Sequence, residues 1–506
     1  MIRKLTHFIG SNKFFYLIVV VFTLEASWVA LTARYPQAFD ENFHFGLIQL
    51  YAKHWLPFFD SQPPDAGVYG AVARDPSYLY HYLMSFPYRV LTHIVSSQST
   101  QIIALRFINV ALAASSLFVY ARLLKQTSLG GAYRNAILFF FTAIPVFPIL
   151  AGQISYDNLI LPLIGTILLM TIIFIRNLQN NLFKGPLLAN IILVGLITSL
   201  VKYAVLPLLL GVAIYVASGL FMYIRCNPGR LGEYVPRIRH MRRLSVALYL
   251  VAFLVVGTLF TQRYGVNVVR YHTPVPNCAQ VISVDECIEY APWGRDYQFA
   301  RDNVAWQRDG LWRYSNTWIR QMMNEFFFSV YSLPRANTNI VDYWGAPPVS
   351  WLINTGWIVL SAGVALSLVF ASRLWRSVVV RLFVIVTVLY VGALFADNYH
   401  SYLVTAIPVS IHGRYVLPLI PLVLVLFCLA GREALWFVSK HASSVRSLLS
   451  GVKISIFVVL ALLCTQGGGI ITDIVRSSEE NFWPQSSLAQ KANTNAKRKL
   501  KEVVIE

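Results

Sequence analysis

Two adjacent acids and a histidine stand in the stretch from Arg34 to Trp55, which follows the first long apolar segment. Asp40 and Glu41 are neighbours, and His44 comes one helical turn later. A carboxylate beside an imidazole can bind and deprotonate a hydroxyl group, so we predict Asp40 as the general base, with Glu41 and His44 orienting it or tuning its pKa. The alternative is structural, because an aspartate just before a helix caps the free N–H groups of the first turn.

This stretch is predicted to form an amphipathic helix at a membrane surface, starting at residue 39. One stripe of the helix is apolar, and the neighbouring stripe carries the acid, the imidazole and two aromatic rings. The apolar stripe is Phe39, Phe43, Leu47 and Leu50, and the second stripe is Asp40, His44, Tyr51 and Trp55. We expect the apolar neighbours and lipid to desolvate Asp40 and to raise its pKa toward the working pH of a base.

Basic residues stand near the ends of other apolar segments. Lys202 interrupts the stretch 187–224, and His412 and Arg414 come just before the segment 415–431. Arginine binds phosphate through two parallel hydrogen bonds, so these three side chains are predicted to hold a phosphate at the membrane boundary. An arginine at such a position can instead extend to lipid headgroups.

Three more polar residues are candidates for an acceptor site or a metal site. Asp157 lies in GQISYDN between two apolar segments, and Asp397 and His400 follow the segment 380–396. Asp157 has the alternative role of capping the next helix. The sequence contains no phosphate-binding loop, no H-E-x-x-H and no D-x-D motif, so it leaves the use of a divalent cation open.

Composition places these residues in a membrane protein. The chain has 506 residues, is 56% hydrophobic and has a mean hydropathy of +0.56. Apolar runs long enough to cross a bilayer core of roughly 30 Å recur along it. We predict an all-α polytopic protein with one membrane-embedded domain, 1–506, and eleven spans at 14–33, 101–121, 135–152, 158–175, 187–201, 203–224, 245–262, 350–371, 380–396, 415–431 and 452–470. The first run is expected to be a span rather than a cleaved signal peptide, because it is long and no A-x-A site follows.

The net charge of +19 is distributed as in a membrane protein, and no nucleic-acid partner is expected. The segment 225–244 alone contains six arginines, and positively charged loops stay in the cytoplasm. This rule places two large loops outside, at 34–100 and 263–349. The tail 471–506 stays undecided, because eleven spans put it outside whereas the basic run 497–501 favours the inside.

Three structural expectations concern the spans and the loops. Glu25 and Arg106 lie at comparable depth in the first two spans, and charges within a bilayer are usually paired, so we expect them to pair. The aromatic segment 78–94 is predicted to be a second interfacial helix. Cys278 and Cys287 are close in the second large loop, where an oxidising compartment would favour a disulfide.

Three short motifs give the chain a family resemblance. They are D-E-x-x-H at 40–44, S-Y-D-N at 155–158 and H-G-R-Y-x-L-P-L-I-P at 412–421. With two large outer loops in about 500 residues, the chain resembles the multispan (C-type fold) glycosyltransferases that use polyprenyl-phosphate sugars. It is most similar to phage-type serotype-converting O-antigen glucosyltransferases, and more distantly to protein O-mannosyltransferases and lipid A aminoarabinose transferases.

The resemblance implies an activity and a location. One sugar, glucose, would pass with inversion from undecaprenyl-phosphate sugar to a hydroxyl of lipid-linked O-antigen, at the periplasmic face of the bacterial inner membrane. Asp40 would be the base, and some relatives use a divalent cation. The alternatives are a lipid-linked sugar flippase and an O-antigen ligase or polymerase. A flippase would concentrate polar residues within its spans and show internal repeats, which this sequence does not.

Overall fold

Helices dominate the computed structural model, which describes residues 2–37, 40–144, 146–228, 243–302, 308–328, 331–334, 341–344, 350–441 and 482–505. Seven of them are long and apolar enough to cross a membrane. They are Asn12–Thr32, Gln98–Leu124, Asp157–Gln179, Tyr203–Cys226, Leu244–Tyr271, Val378–Thr405 and Gly413–Val438. The architecture is that of a helical multi-pass membrane protein, as the apolar runs predict.

The described helices are numbered here in chain order. They are α1 Ile2–Ile9, α2 Asn12–Thr32, α3 Glu41–Ala52, α4 Leu79–Ile94, α5 Gln98–Leu124, α6 Gly131–Ala143, α7 Val146–Ala151, α8 Asp157–Gln179, α9 Gly185–Val201, α10 Leu206–Cys226, α11 Arg243–Phe260, α12 Val266–Tyr271, α13 Cys278–Val281, α14 Val284–Glu289, α15 Ala291–Asp302, α16 Leu311–Phe328, α17 Ser350–Val369, α18 Ala371–Leu374, α19 Val378–Thr405, α20 Ile420–His441 and α21 Ser487–Ile505. A π-helical turn, Thr261–Gly265, joins α11 to α12. The 3₁₀ turns are Gly67–Tyr69, Tyr203–Val205 and Gly413–Leu419.

The described residues also contain one antiparallel β-hairpin. Its strands are β1 Tyr331–Pro334 and β2 Val341–Trp344, with Tyr331 opposite Trp344.

The seven spans match seven of the eleven predicted ones. The segment 135–152 is divided between α6 and α7, which meet at Ile144. Pro148 stands in the first turn of α7, where a helix tolerates a residue without an N–H donor. The segment 187–201 corresponds to a shorter apolar helix, Gly185–Val201, and the segment 350–371 corresponds to α17, Ser350–Val369. The predicted span 452–470 lies outside the described residues.

The loops that carry the candidate residues meet at one end of the helices, which we call the site end. It comprises residues 33–37, 40–97, 152–156, 202, 272–302, 308–310 and 406–412. Arg263, in the π-helical turn, is fully buried and donates hydrogen bonds to the carbonyl oxygens of Pro57, at 2.8 Å, and Ala73. Ser77 Oγ accepts a hydrogen bond from the backbone N–H of Tyr203 at 3.0 Å. These contacts attach the first large loop to two spans.

The helix after Asp40 is more deeply placed than its sequence pattern suggests. Helix α3 begins at Glu41, and the expected start, Phe39, lies outside the described residues. Buried side chains occupy most of its circumference, including His44, Phe45, Ile48 and Tyr51. The predicted division into an apolar stripe and a polar stripe does not describe α3, because residues of both stripes are buried and α4 packs on the helix. Its position at a membrane surface stays a prediction. Helix α4 does expose apolar side chains along its length, namely Leu83, Phe86, Val90 and Ile94.

The C-terminal tail returns to the site end. Phe482 forms an isolated antiparallel bridge with Ala33, and the N–H of Trp483 donates to the carbonyl oxygen of Thr32 at 2.9 Å. This contact puts the start of the described part of the tail beside the end of the first span.

Both large loops are expected on the same side of the membrane. Single cysteines at Ser61 and Ser315, introduced after removal of the native cysteines, should react alike with a membrane-impermeant thiol reagent in intact cells. A cysteine at Ser128, between α5 and α6 at the opposite end, should give the opposite result. Unlike labelling of Ser61→Cys and Ser315→Cys would contradict this arrangement.

Candidate functional site

Asp40 occupies the position before α3, yet its side chain does not cap the helix. The residue has a left-handed backbone (φ 67°), a conformation that aspartate and asparagine tolerate better than most residues. One of its carboxylate oxygens instead accepts a hydrogen bond from Arg414 Nη2 at 2.7 Å. The Asp40 side chain is 48% exposed, whereas that of Arg414 is 4% exposed. The capping interpretation is therefore wrong, and Asp40 forms an ion pair over 374 residues of chain.

The electrostatics at Asp40 are opposite to the sequence expectation. Burial raises the pKa of this carboxyl, but the charge and the hydrogen bond of Arg414 together outweigh that effect. His44 and His412 also lower the pKa, by smaller amounts. The net pKa lies below the usual value of 3.8. The expectation of a raised pKa is wrong because it did not include the arginine. Asp40 is thus ionised at neutral pH and already paired with a cation.

A second ion pair, between Lys202 and Asp157, lies beside the first. Lys202 Nζ is 2.6 Å from the Asp157 carboxylate, and both side chains are buried. The ammonium also stands over the rings of Tyr156, at 4.6 Å, and Tyr415, at 4.9 Å. The Arg414 guanidinium lies 5.3 Å from the same Tyr415 ring. Tyr415 therefore contacts both cations, and the two pairs form one cluster.

Glu41 differs from its neighbour in burial and in its partners. Its carboxylate is fully buried and accepts two hydrogen bonds from Arg106, at 2.6 and 2.7 Å. The same carboxylate accepts the backbone N–H groups of Gln37, at 2.8 Å, and Ile154, at 3.1 Å. Four hydrogen bonds to one carboxylate indicate a positioning role, which holds Asp40 at the start of α3. The expected Glu25–Arg106 pair is wrong.

His44 is paired with a histidine that the sequence did not single out. His44 Nδ1 lies 2.9 Å from His81 Nε2, and the two buried rings stack with centroids 5.2 Å apart. Burial lowers the pKa of His81 to about 3 and that of His44 well below 6.5, so both rings are neutral at neutral pH. The Tyr156 ring contacts His44 at 4.5 Å. The only signal in the sequence was the histidine content of the segment 78–94.

Several predicted residues lie apart from this cluster. Asp397 and His400 are exposed on α19. Tyr51 is buried against Phe59, and Trp55 is exposed beneath the Arg89 guanidinium, so neither shares the surroundings of Asp40. The His412 ring contacts that of Tyr415 at 5.5 Å, within reach of the cluster. Within the described parts of the chain, no group of three or more His, Cys, Asp or Glu side chains has the arrangement of a metal site.

An apolar cavity of about 1020 Å³ lies among the spans. It lies between α8, α9, α10 and α19 and is bounded by Phe260 of α11. Ser199 and Leu206, three residues before and four residues after Lys202, line it. The cavity therefore lies among the spans, and its lining begins within about one helical turn of Lys202 along the chain.

The second large loop contains a disulfide bond. Cys278, in α13, and Cys287, in α14, are joined with their Cα atoms 5.8 Å apart. The bond closes a short segment that packs on the 3₁₀ turn Gly67–Tyr69 of the first large loop, where Gly67 lies against the Glu289 carboxylate.

Comparisons of the chain with protein-family models, with curated proteins and with solved structures find no match. The functional argument therefore depends on the geometry of the cluster.

The Glu41–Arg106 pair is expected to be essential for folding. Removing one partner of a buried pair leaves an uncompensated charge, so Arg106→Gln should destabilise the protein by about 3–5 kcal/mol. Glu41→Gln should have a similar effect, and the double variant should lose less than the sum. Melting in detergent measures this. Arg301→Gln, which breaks an exposed pair with Asp302, is the control and should change little. Equal melting temperatures for Arg106→Gln and Arg301→Gln would contradict the assignment.

Proposed function

We propose that the protein transfers one sugar from a polyprenyl-phosphate sugar to a hydroxyl group of a glycan acceptor, with Asp40 as general base. The supporting observation is the Asp40–Arg414 ion pair, in which a half-exposed carboxylate is held by a buried guanidinium. A second buried cation, Lys202, lies beside it, and residues on both sides of Lys202 in the chain, Ser199 and Leu206, line an apolar cavity among the spans. An acid, two cations and an apolar space are what a hydroxyl acceptor and a lipid-linked phosphate require.

The donor phosphate is placed at Arg414 and Lys202. Each of these cations already has a carboxylate partner, so the pairs are neutral before the donor binds. A phosphate between them would draw the guanidinium and the ammonium toward itself. Arginine suits this role because its planar fork binds two oxygens at once. The cavity beside Ser199 and Leu206 would accept part of the apolar chain of the donor.

Transfer would then follow a single displacement at the anomeric carbon. Asp40 takes the proton of the acceptor hydroxyl, and the acceptor oxygen attacks the carbon from the face opposite the phosphate. The bond between that carbon and the phosphate oxygen breaks, and both of its electrons stay with polyprenyl phosphate. Arg414 and Lys202 stabilise the charge that develops there, which is often the largest contribution in such sites. The configuration at the anomeric carbon is inverted.

Donor binding would also make Asp40 a better base. Arg414 holds the pKa of Asp40 below its usual range in the absence of donor. When the guanidinium turns to the phosphate, its field at Asp40 is partly neutralised, and the pKa of the carboxyl rises. The acid would thus become competent when the donor is present.

The finer parts of the proposal rest on the family resemblance and on the charge distribution. Glucose as the sugar, undecaprenyl as the lipid and O-antigen as the acceptor come from the resemblance. The position of the site end in the periplasm, with the spans in the bacterial inner membrane, comes from the excess of Lys and Arg in the opposite loops. An enzyme is favoured over a flippase because the ion pairs gather at the site end.

The activity assay uses the purified protein with polyprenyl-phosphate glucose and lipid-linked O-antigen. Transfer of one glucose per acceptor unit supports the proposal. Movement of a whole glycan chain would identify a ligase or polymerase, and transport of the donor across vesicles without transfer would identify a flippase.

Replacing Asp40 with Asn separates the role of a base from that of a structural residue. Asparagine accepts the left-handed backbone and keeps the side-chain volume, but it does not take up a proton. Transfer should fall by roughly 10²-fold or more at unchanged expression. Asp60→Asn, an exposed acid of the same loop, is the control and should keep full activity. Near-normal turnover in Asp40→Asn would assign the base elsewhere.

Arg414 is expected to bind the donor phosphate. Arg414→Ala should lower the transfer rate by roughly 10²-fold, because a preorganised donor to the developing charge is lost. Arg414→Lys should recover part of this rate, since the charge remains but the planar fork does not. The matched control, Arg301→Lys, changes an exposed arginine of the second large loop. Wild-type transfer by Arg414→Ala would place the donor site elsewhere.

A further inference from the structure

The second large loop returns to the candidate site at Tyr290, directly after α14. Its ring lies 5.7 Å from that of Phe43, three residues beyond Asp40. It also lies against Gly70, where a Cβ atom would approach the ring to 3.1 Å. Gly70 has a φ of 73°, so the first loop has both the backbone and the space that the ring needs. Tyr290 therefore bridges the two large loops beside Asp40.

The surroundings of the Tyr290 hydroxyl are those of the site. Burial raises the pKa of Tyr290, and Asp75, Tyr203, Asp40 and Tyr415 act in the same direction. The phenol thus keeps its proton and can donate a hydrogen bond.

The disulfide bond holds Tyr290 in this place. The N–H of Tyr290 donates to the carbonyl oxygen of Cys287 at 3.1 Å, and Cys287 is fully buried. Capping boxes at Asn277 and Ser283 stabilise the first turns of α13 and α14, the two short helices that the disulfide joins. The close approach of Gly67 to Glu289 leaves no room for a side chain between α14 and the first loop. The segment 278–290 is thereby fixed at both its ends.

We infer that Tyr290 binds the acceptor glycan, with its hydroxyl bonded to a sugar hydroxyl and its ring packed with Phe43 against the sugar. The inference rests on the proposed function. The acceptor is favoured over the donor because the donor lipid would enter from the cavity among the spans that Ser199 and Leu206 line. Tyr290 instead comes from the second large loop, outside the spans, and approaches the end of α3 where Asp40 is half exposed. The Cys278–Cys287 disulfide is then a positioning element for acceptor binding.

The test compares Tyr290→Phe with Tyr297→Phe by steady-state kinetics, varying acceptor and donor separately. Tyr297 belongs to the same loop, stacks on Trp293 and is exposed, so its variant should match the wild type. Tyr290→Phe removes one hydrogen bond, and the acceptor KM should rise roughly two- to tenfold while the donor KM stays the same. The Cys278→Ser, Cys287→Ser double variant should also raise the acceptor KM, and adding Tyr290→Phe to it should have a smaller effect than in the wild type.

The outcomes distinguish this inference from the proposed function. Transfer by the wild type with an unchanged acceptor KM in Tyr290→Phe overturns the inference alone. A rise in the donor KM instead would place Tyr290 at the donor and also overturn it. No transfer by the wild type overturns the proposed function, and the inference with it.

Discussion

The buried Glu41–Arg106 ion pair determines the geometry of the site end. Arg106 reaches from α5 to Glu41 and also donates to the carbonyl oxygens of Ala33, at 2.6 Å, and Ala30, at 3.3 Å. Glu41 in turn accepts the N–H of Ile154. One pair thus joins the first span, α3, α5 and the connection before α8. Burying two charges is costly, and the six hydrogen bonds around them offset that cost. The ion pair also fixes the position of Asp40, because Asp40 directly precedes Glu41 in the chain.

Two adjacent acids acquire different properties because their surroundings differ. The oxygens of Glu41 are held by partners from several elements, so its carboxylate has a fixed place. Asp40 shares one oxygen with one arginine and remains half exposed to solvent. An ion pair with a solvent-exposed acid can exchange its partner, whereas a fully buried pair cannot without a large penalty. The residue types and the spacing of Asp40 and Glu41 do not tell which acid is structural and which can react, whereas the burial of each side chain does.

The sequence predicted the membrane spans better than the contacts between them. Hydrophobic length identifies seven spans because the bilayer imposes the same requirement on each. The positions of polar residues near the ends of apolar segments also placed Asp40, Lys202 and Arg414 on the same side of the predicted spans. Hydrophobic length did not identify the partner of Arg106, because depth along a span does not tell which helix it faces. His81 was missed for a related reason, since its contact with His44 depends on how α4 packs on α3. The expectation of a raised pKa for Asp40 was wrong because the residue that lowers it, Arg414, is distant in sequence and its contact with Asp40 could not be foreseen.

The proposed exchange of partners at Arg414 has a thermodynamic consequence. If a bound phosphate raises the pKa of Asp40, then protonation of Asp40 must strengthen phosphate binding by the same factor, because the two equilibria are linked. The Asp40 carboxylate and the phosphate compete for one guanidinium, so each weakens the hold of the other. The second pair gives the same competition between Asp157 and the phosphate at Lys202. Binding without such competing acids would be tighter, yet it would leave the cations unpaired and buried before the donor arrives. In the proposed reaction the acids would therefore stabilise the empty site and limit how tightly the product, polyprenyl phosphate, is held.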